Sequence, residues 1–204
     1  MRSTDLIFGA VFILGVAVLG AYWYSQSRPD PVAEIIETPG SRLEIEVEGE
    51  ANGKIVVKLF EDIAPEHARR LKELAASGAY DGVVFHRVID GFMAQTGDVK
   101  YGRADGDLAQ AGRGGSDLPD LPLEASDIPF QRGIVGMARS ASPDSANSQF
   151  FIMFAPAPNL NGQYTVVGQV VEGMDVLDAI KRGTGPNGAV VGTPDVMKSV
   201  RVVE

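Results

Sequence analysis

Phe85-His86-Arg87-Val88-Ile89-Asp90-Gly91-Phe92-Met93-Ala94-Gln95-Thr96-Gly97-Asp98 embeds an arginine and a glutamine among strand-forming residues otherwise bound for a core. A partly buried arginine cannot shed its charge by deprotonation, so it needs partners. A structural ion pair would satisfy that need, and a binding or catalytic use is the alternative. Strand alternation puts His86 on the opposite side from Arg87, which suits a buried structural histidine better than an acid or base.

The flanking sequence supplies a β-rich scaffold. Leu43, Ile45 and Val47 alternate with Glu44, Glu46 and Glu48. Asn52-Gly53 follows as a turn tolerant of positive φ, then Ile55, Val57 and Leu59 alternate with Val56 and Lys58. The pattern predicts a hairpin with one buried face. Pro65 suits the first turn of a helix whose Ala68, Leu71, Leu74 and Ala75 recur at helical spacing until Gly78. A second helix is predicted around Val176, Leu177 and Ile180, stopping at Gly183. Short apolar runs at 83–89, 92–96, 134–138, 150–154, 164–171 and 200–203 read as further strands. Many strands and two helices suggest a closed barrel capped at its ends.

With 204 residues, 45% of them hydrophobic, the chain has room for one globular domain and some forty residues besides. A formal charge of −9 repels phosphate backbones and anionic lipid headgroups, and no basic cluster overrides it. Nucleic acid is not an expected partner. The lack of cysteine removes disulfides, thiolate nucleophiles and Cys-ligated metals together.

Leu6 to Tyr24 carries no charge and ends in Tyr22-Trp23-Tyr24, rings suited to a membrane interface. A helix of that length reaches roughly the ~30 Å of a hydrocarbon core. Residues 1–24 are therefore expected to be an uncleaved anchor. The alternatives are a cleaved signal peptide, with Ser25-Gln26-Ser27 as a poor cleavage site, and a buried core helix. Either leading reading places the rest outside the cytoplasm, on the periplasmic side. Residues 25–41, with Pro29, Pro31 and Pro39, read as a stiffened linker reaching up to about 50 Å if extended. Residues 42–204 form the domain.

Several motifs carry less than their spelling suggests. Gly183-Thr184-Gly185-Pro186-Asn187-Gly188 has the G-x-G-x-x-G spacing of dinucleotide loops. It follows a helix instead of a strand and opens none, so it reads as a plain loop. His67 and His86 are the only histidines and belong to no metal array; His67 is expected on a helix surface. No G-x-S-x-G elbow surrounds Ser116, Ser142 or Ser145. Gly114-Gly115 lies in an acidic stretch, which argues against phosphate and for a surface loop.

The 85–98 segment resembles the signature of the cyclophilin family. The likeness continues in Gly133-Ile134-Val135-Gly136-Met137-Ala138, in Ser148-Gln149-Phe150-Phe151-Ile152 and in Asn159-Leu160-Asn161-Gly162-Gln163-Tyr164-Thr165-Val166-Val167-Gly168. It spans roughly residues 42–204, in the family's order and spacing. The resemblance implies a mainly β fold, an eight-stranded antiparallel closed barrel with two helices, and peptidyl-prolyl cis-trans isomerase activity on proline-containing polypeptides. It implies no cofactor and no metal, and a monomer is expected. By similarity Arg87 is the catalytic donor and Gln95 orients it. Phe92, Met93, Phe151 and Leu160 form the proline slot, with Tyr164 at its rim. Ala138 and Arg139 contact the substrate, Arg139 through its main-chain N–H.

The sequence departs from the best-studied members at Asn159, where they carry tryptophan, at Tyr164, where they carry histidine, and at Arg139, where asparagine is common. The first puts cyclosporin binding in question; the second keeps a ring with a polar tip. A rival function is a tethered peptide-binding chaperone whose isomerase activity is incidental. The presence of both Arg87 and Gln95 favours the enzyme.

Overall fold

The computed structural model describes residues 40–204. The expected membrane segment and all but the end of the expected linker lie outside these residues. Among the described residues, no helix is long and apolar enough to cross a membrane. Ser41, the last residue of the expected linker, is tied into the domain. Its carbonyl accepts from Leu59 N–H and its own N–H donates to Glu61.

Alternation sets the first hairpin. Strands β1 (Arg42–Glu48) and β2 (Gly53–Leu59) pair antiparallel with Ile45 opposite Ile55, and Leu43, Ile45, Val47, Ile55, Val57 and Leu59 are all buried. Gly53 turns at φ 140°, a conformation that a side chain would strain. Helix α1 (Pro65–Ala76) starts at its proline and buries Ala68, Leu71, Leu74 and Ala75. Helix α2 (Met174–Ala179) is shorter and buries Leu177, with Ile180 at its end.

The remaining strands are β3 (Val83–Val84), β4 (Arg87–Ile89), β5 (Met93–Thr96), β6 (Ile134–Met137), β7 (Phe150–Met153), β8 (Val166–Glu172) and β9 (Val196–Val203). They form one sheet in the order β3-β9-β1-β2-β8-β6-β7-β5-β4. There are thus nine strands instead of the expected eight, and among the described residues no ladder joins the terminal pair β3 and β4. The apolar run 83–89, read as one strand, breaks at Phe85-His86. There Phe85 N–H donates to the Asp195 carbonyl and the His86 carbonyl accepts from Val190 N–H. Main-chain groups spent on residues 190–195 are not free for a neighbouring strand. The break sends β3 to one end of the sheet and β4 to the other.

His67 is not on the surface. It is fully buried, with Nδ1 2.5 Å from a Glu124 carboxylate oxygen, and the same carboxylate accepts from the N–H groups of Glu66 and His67. Glu124 thereby satisfies two of the orphan donors at the start of α1. A distant loop folding over the helix end is invisible to helical spacing.

Candidate active site

Strand register assembles the site. β4 and β5 pair Arg87 with Gln95, β5 and β7 pair Gln95 with Phe151, and β7 and β6 pair Phe151 with Gly136. Side chains directly opposite one another share a face, so these four form a single row across four strands. The alternate residues Val88, Ala94 and Ile152 point the other way and are wholly buried. One face of the β4–β5 hairpin therefore belongs to the core and the other to the site.

Gly136 is small because the space above it is taken. A Cβ there would lie 2.5 Å from Phe151 Cζ and 2.6 Å from Phe130 Cε1. Phe130 stacks on Phe151 at 5.7 Å, and Phe151 meets Tyr164 edge to face at 5.8 Å. The Arg139 guanidinium lies 4.3 Å from the Tyr164 ring centroid and donates to the Gln163 and Ser140 carbonyls. Its main-chain N–H has no partner among the described residues.

A pocket of about 170 Å³ results, lined by Arg87, Phe92, Met93, Gln95, Ala138, Arg139, Phe151, Leu160 and Tyr164. These nine are the residues singled out from the sequence, and the fold brings all of them together. Met93, Phe151 and Leu160 are buried in its apolar lining, while Phe92, Gln95 and Tyr164 are half-buried. A second, polar groove of about 420 Å³ adjoins it, sharing Gln95, Ala138 and Arg139 and continuing past Arg113, Asp120, Ser145 and Asn147. The Gly114-Gly115 loop forms part of that groove, so it is more than a plain surface loop.

Arg87 donates from Nη1 to Gln95 Oε1 at 3.0 Å, from Nε to the Asn187 carbonyl at 2.9 Å and from Nη2 to Asn187 Oδ1 at 3.1 Å. Among the described residues no carboxylate pairs with it. Partial burial draws its pKa below the ordinary arginine value, although the group stays charged at neutral pH. Gln95 Nε2 donates to Gln149 Oε1 at 2.9 Å, and Gln149 Nε2 donates to the Gly114 carbonyl at 2.7 Å. Asp98 holds that loop, accepting from the N–H groups of Lys100, Tyr101, Gly112 and Gly114. Behind Arg87, both ring nitrogens of His86 are buried and make no hydrogen bond among the described residues, and desolvation pushes its pKa down to about 4. His86 is neutral at pH 7 and contacts Gly112, away from the pocket.

Local sequence patterns give no part to Gln149, Phe130, Gly136 or Asn187. Gln149 stands inside the Ser148–Ile152 motif, two residues before Phe151, and that position is the signal available. Asn187 is 100 residues from Arg87, and only the fold joins them.

Residues 42–202 match the family model for cyclophilin type peptidyl-prolyl cis-trans isomerase/CLD. The chain belongs to the cyclophilin family. It is 58% identical over 146 residues, 71% of this chain and 74% of the relative, to a protein of Brucella suis named a probable peptidyl-prolyl cis-trans isomerase. It is 42% identical over 135 residues, 66% and 81% of the two chains, to a peptidyl-prolyl cis-trans isomerase of Arabidopsis thaliana. Among solved structures, a Cryptosporidium parvum cyclophilin type isomerase in the presence of the dipeptide Ala-Pro superposes with a TM-score of 0.68. Identity there is 25%, covering 80% of this chain and 99% of that one. The cyclophilin domain described here is a peptidyl-prolyl cis-trans isomerase.

Proposed function

We propose that Arg87 is the group that lowers the rotation barrier, and that the pocket beside it holds the substrate's proline ring. The observation that carries this reading is a cation fixed by hydrogen bonds from both flanks in the wall of an otherwise apolar slot. The X-Pro amide resists rotation by ~18–20 kcal/mol because resonance spreads the nitrogen lone pair over the carbonyl. At the twisted geometry that lone pair localises on nitrogen. A donor aimed there favours the twisted state over both planar ones, which is the condition for raising the rate instead of merely tightening binding.

Met93, Phe151, Leu160 and Phe92 supply apolar contact for the ring, with Tyr164 at the rim. The Arg139 N–H is a free donor for a substrate carbonyl beside Ala138, and Gln95 both orients Arg87 and borders the substrate path. No bond breaks, and no proton moves to or from a side chain.

The test is proline-peptide isomerisation by the full-length chain and its Arg87→Ala variant. Removing one preorganised donor of this kind costs on the order of a hundredfold in kcat/KM, with folding unaffected. Equal rates for the two proteins would sink the assignment. Arg87→Lys is expected to restore little, because an ammonium cannot engage Gln95 and Asn187 as a planar fork does.

We propose also that residues 6–24 tether the domain to the cytoplasmic membrane with the pocket on the outer side. The uncharged nineteen-residue run and its aromatic end support this. Fractionation with alkaline washing, together with the mass of the mature N-terminus, tests it. A soluble protein shortened by some 25 residues would overturn it.

A further inference from the structure

We infer that Asn187, on the loop spelled Gly183-Thr184-Gly185-Pro186-Asn187-Gly188, is a positioning residue that sets the orientation of the Arg87 guanidinium. The inference rests on the proposed role of Arg87 and extends it to a segment that no sequence pattern ties to the reaction.

Arginine has five N–H donors in one plane, and fixing the plane requires acceptors on more than one edge. Gln95 supplies one, to Nη1. Asn187 supplies two on the other flank, its main-chain carbonyl to Nε and its side-chain oxygen to Nη2. With Nη1 also 3.9 Å from the Met93 sulfur, a donor on Nη2 is left uncommitted.

The backbone is bent to make this possible. Asn187 has φ 54° and ψ 29°, and among the described residues it is the only non-glycine with positive φ. Asparagine tolerates that region better than most residues, but a surrounding structure must enforce it. The enforcement is local to Arg87. Gly183 N–H donates to the Val88 carbonyl and Val190 N–H to the His86 carbonyl, so the loop is stitched to the residues on either side of Arg87. Gly185 N–H to the Ala189 carbonyl and Ala189 N–H to the Pro186 carbonyl close the turn between those two stitches. The left-handed residue at its apex then presents both oxygens to one guanidinium.

The acceptors are neutral, which holds the cation in place without cancelling its charge. A donor that is already aimed needs no reorganisation as the amide twists, and a loosened one loses rate out of proportion to the contact removed.

The test compares four full-length proteins: the parent, Arg87→Ala, Asn187→Gly and the double variant. kcat and KM for a proline peptide and the thermal midpoint are measured for each. Glycine accepts positive φ and keeps the main-chain acceptor, so Asn187→Gly removes only the side-chain oxygen. We expect its kcat to fall about fivefold with KM within about twofold and no drop in thermal midpoint. In the Arg87→Ala background the same change should cost less than about twofold, because it acts through the absent guanidinium. A parent-like kcat for Asn187→Gly overturns the inference while leaving Arg87 in its role. So does a loss that persists undiminished without Arg87. An Arg87→Ala protein as active as the parent overturns the role of Arg87 and, with it, that of Asn187.

Discussion

The two walls of the pocket are held by different physics. The apolar wall, Met93, Phe151 and Leu160 with Phe130 behind, is held by packing, and its residues are between 1% and 8% exposed. The polar wall hangs from one chain of hydrogen bonds. It runs from Asn187 through Arg87, Gln95 and Gln149 to the Gly114 carbonyl, with Asp98 fixing the far end. Packing is collective, so the first wall is part of what keeps the domain folded. The second wall takes Arg87 and Gln95 from strands but is anchored at both ends on loops, and most of its links border open grooves where solvent can replace a lost partner. Damage to the apolar wall should therefore appear as lost stability, and damage to the polar wall as lost rate.

The largest stability effect is expected for Phe151→Ala, about 3–5 kcal/mol, because it removes a stacked ring and leaves a cavity in close-packed surroundings. Denaturant unfolding measures it. A loss below about 1 kcal/mol would mean that the apolar wall is not structural, and the contrast between the walls would collapse.

Next in size is a pH effect at His86, behind the polar wall. Its folded-state pKa of about 4 lies below the ordinary 6.5. The unfolded chain therefore binds a proton that the folded chain refuses in between. The stabilisation is fully present above pH 6.5 and is lost as pH falls towards 4, roughly 3 kcal/mol in all. Unfolding at pH 7 and pH 4.5, compared between the parent and His86→Phe, isolates that part from carboxylate titration. Equal slopes for the two proteins would refute it. Activity, by contrast, should stay flat between about pH 6 and 8, since His86 is neutral throughout and no titrating group takes part.

Gly136→Ala comes third, at about 1–3 kcal/mol, because the added methyl meets Phe151 and Phe130 at a distance neither ring can tolerate. The displaced Phe151 should also narrow the slot and raise KM. Unfolding and steady-state kinetics on one preparation would show whether the two effects travel together, as a shared packed wall requires.

The apolar wall was the more legible of the two. Met93, Phe151 and Leu160 were legible through the resemblance of their motifs to the family. The hairpin and first helix were legible through periods of 2 and 3.6 with Gly53, Pro65 and Gly78 at their boundaries, whereas the second helix ends at Ala179, short of the expected stop at Gly183. What the sequence hid was long-range. The break at Phe85-His86 is made by residues 190–195, the burial of His67 by Glu124, and the left-handed turn at Asn187 by stitches to Val88 and His86. Each depends on a hydrogen bond between segments far apart in the chain, and periodicity carries no term for such a bond. The same limit explains why the contact of the 183–188 loop with Arg87 is absent from a reading based on its local context.

The smallest effect tests the contrast most finely, because it falls on a polar-wall residue that adjoins β7, the strand carrying Phe151 of the apolar wall. Gln149 precedes Phe150 at the start of β7, and its amide links Gln95 to the Gly114 carbonyl. Gln149→Ala leaves the Phe151 ring packed as before, and the vacated amide partners face the polar groove, where water can reach them. Stability should change by about 1 kcal/mol or less. With its far anchor gone, Gln95 is free to rotate and Arg87 loses one of its two flanks, so kcat should fall about fivefold with little change in KM. If Gln149→Ala instead unfolds the domain as readily as Phe151→Ala, the hydrogen-bonded chain is structural after all, and the pocket has one wall in two chemistries instead of two walls.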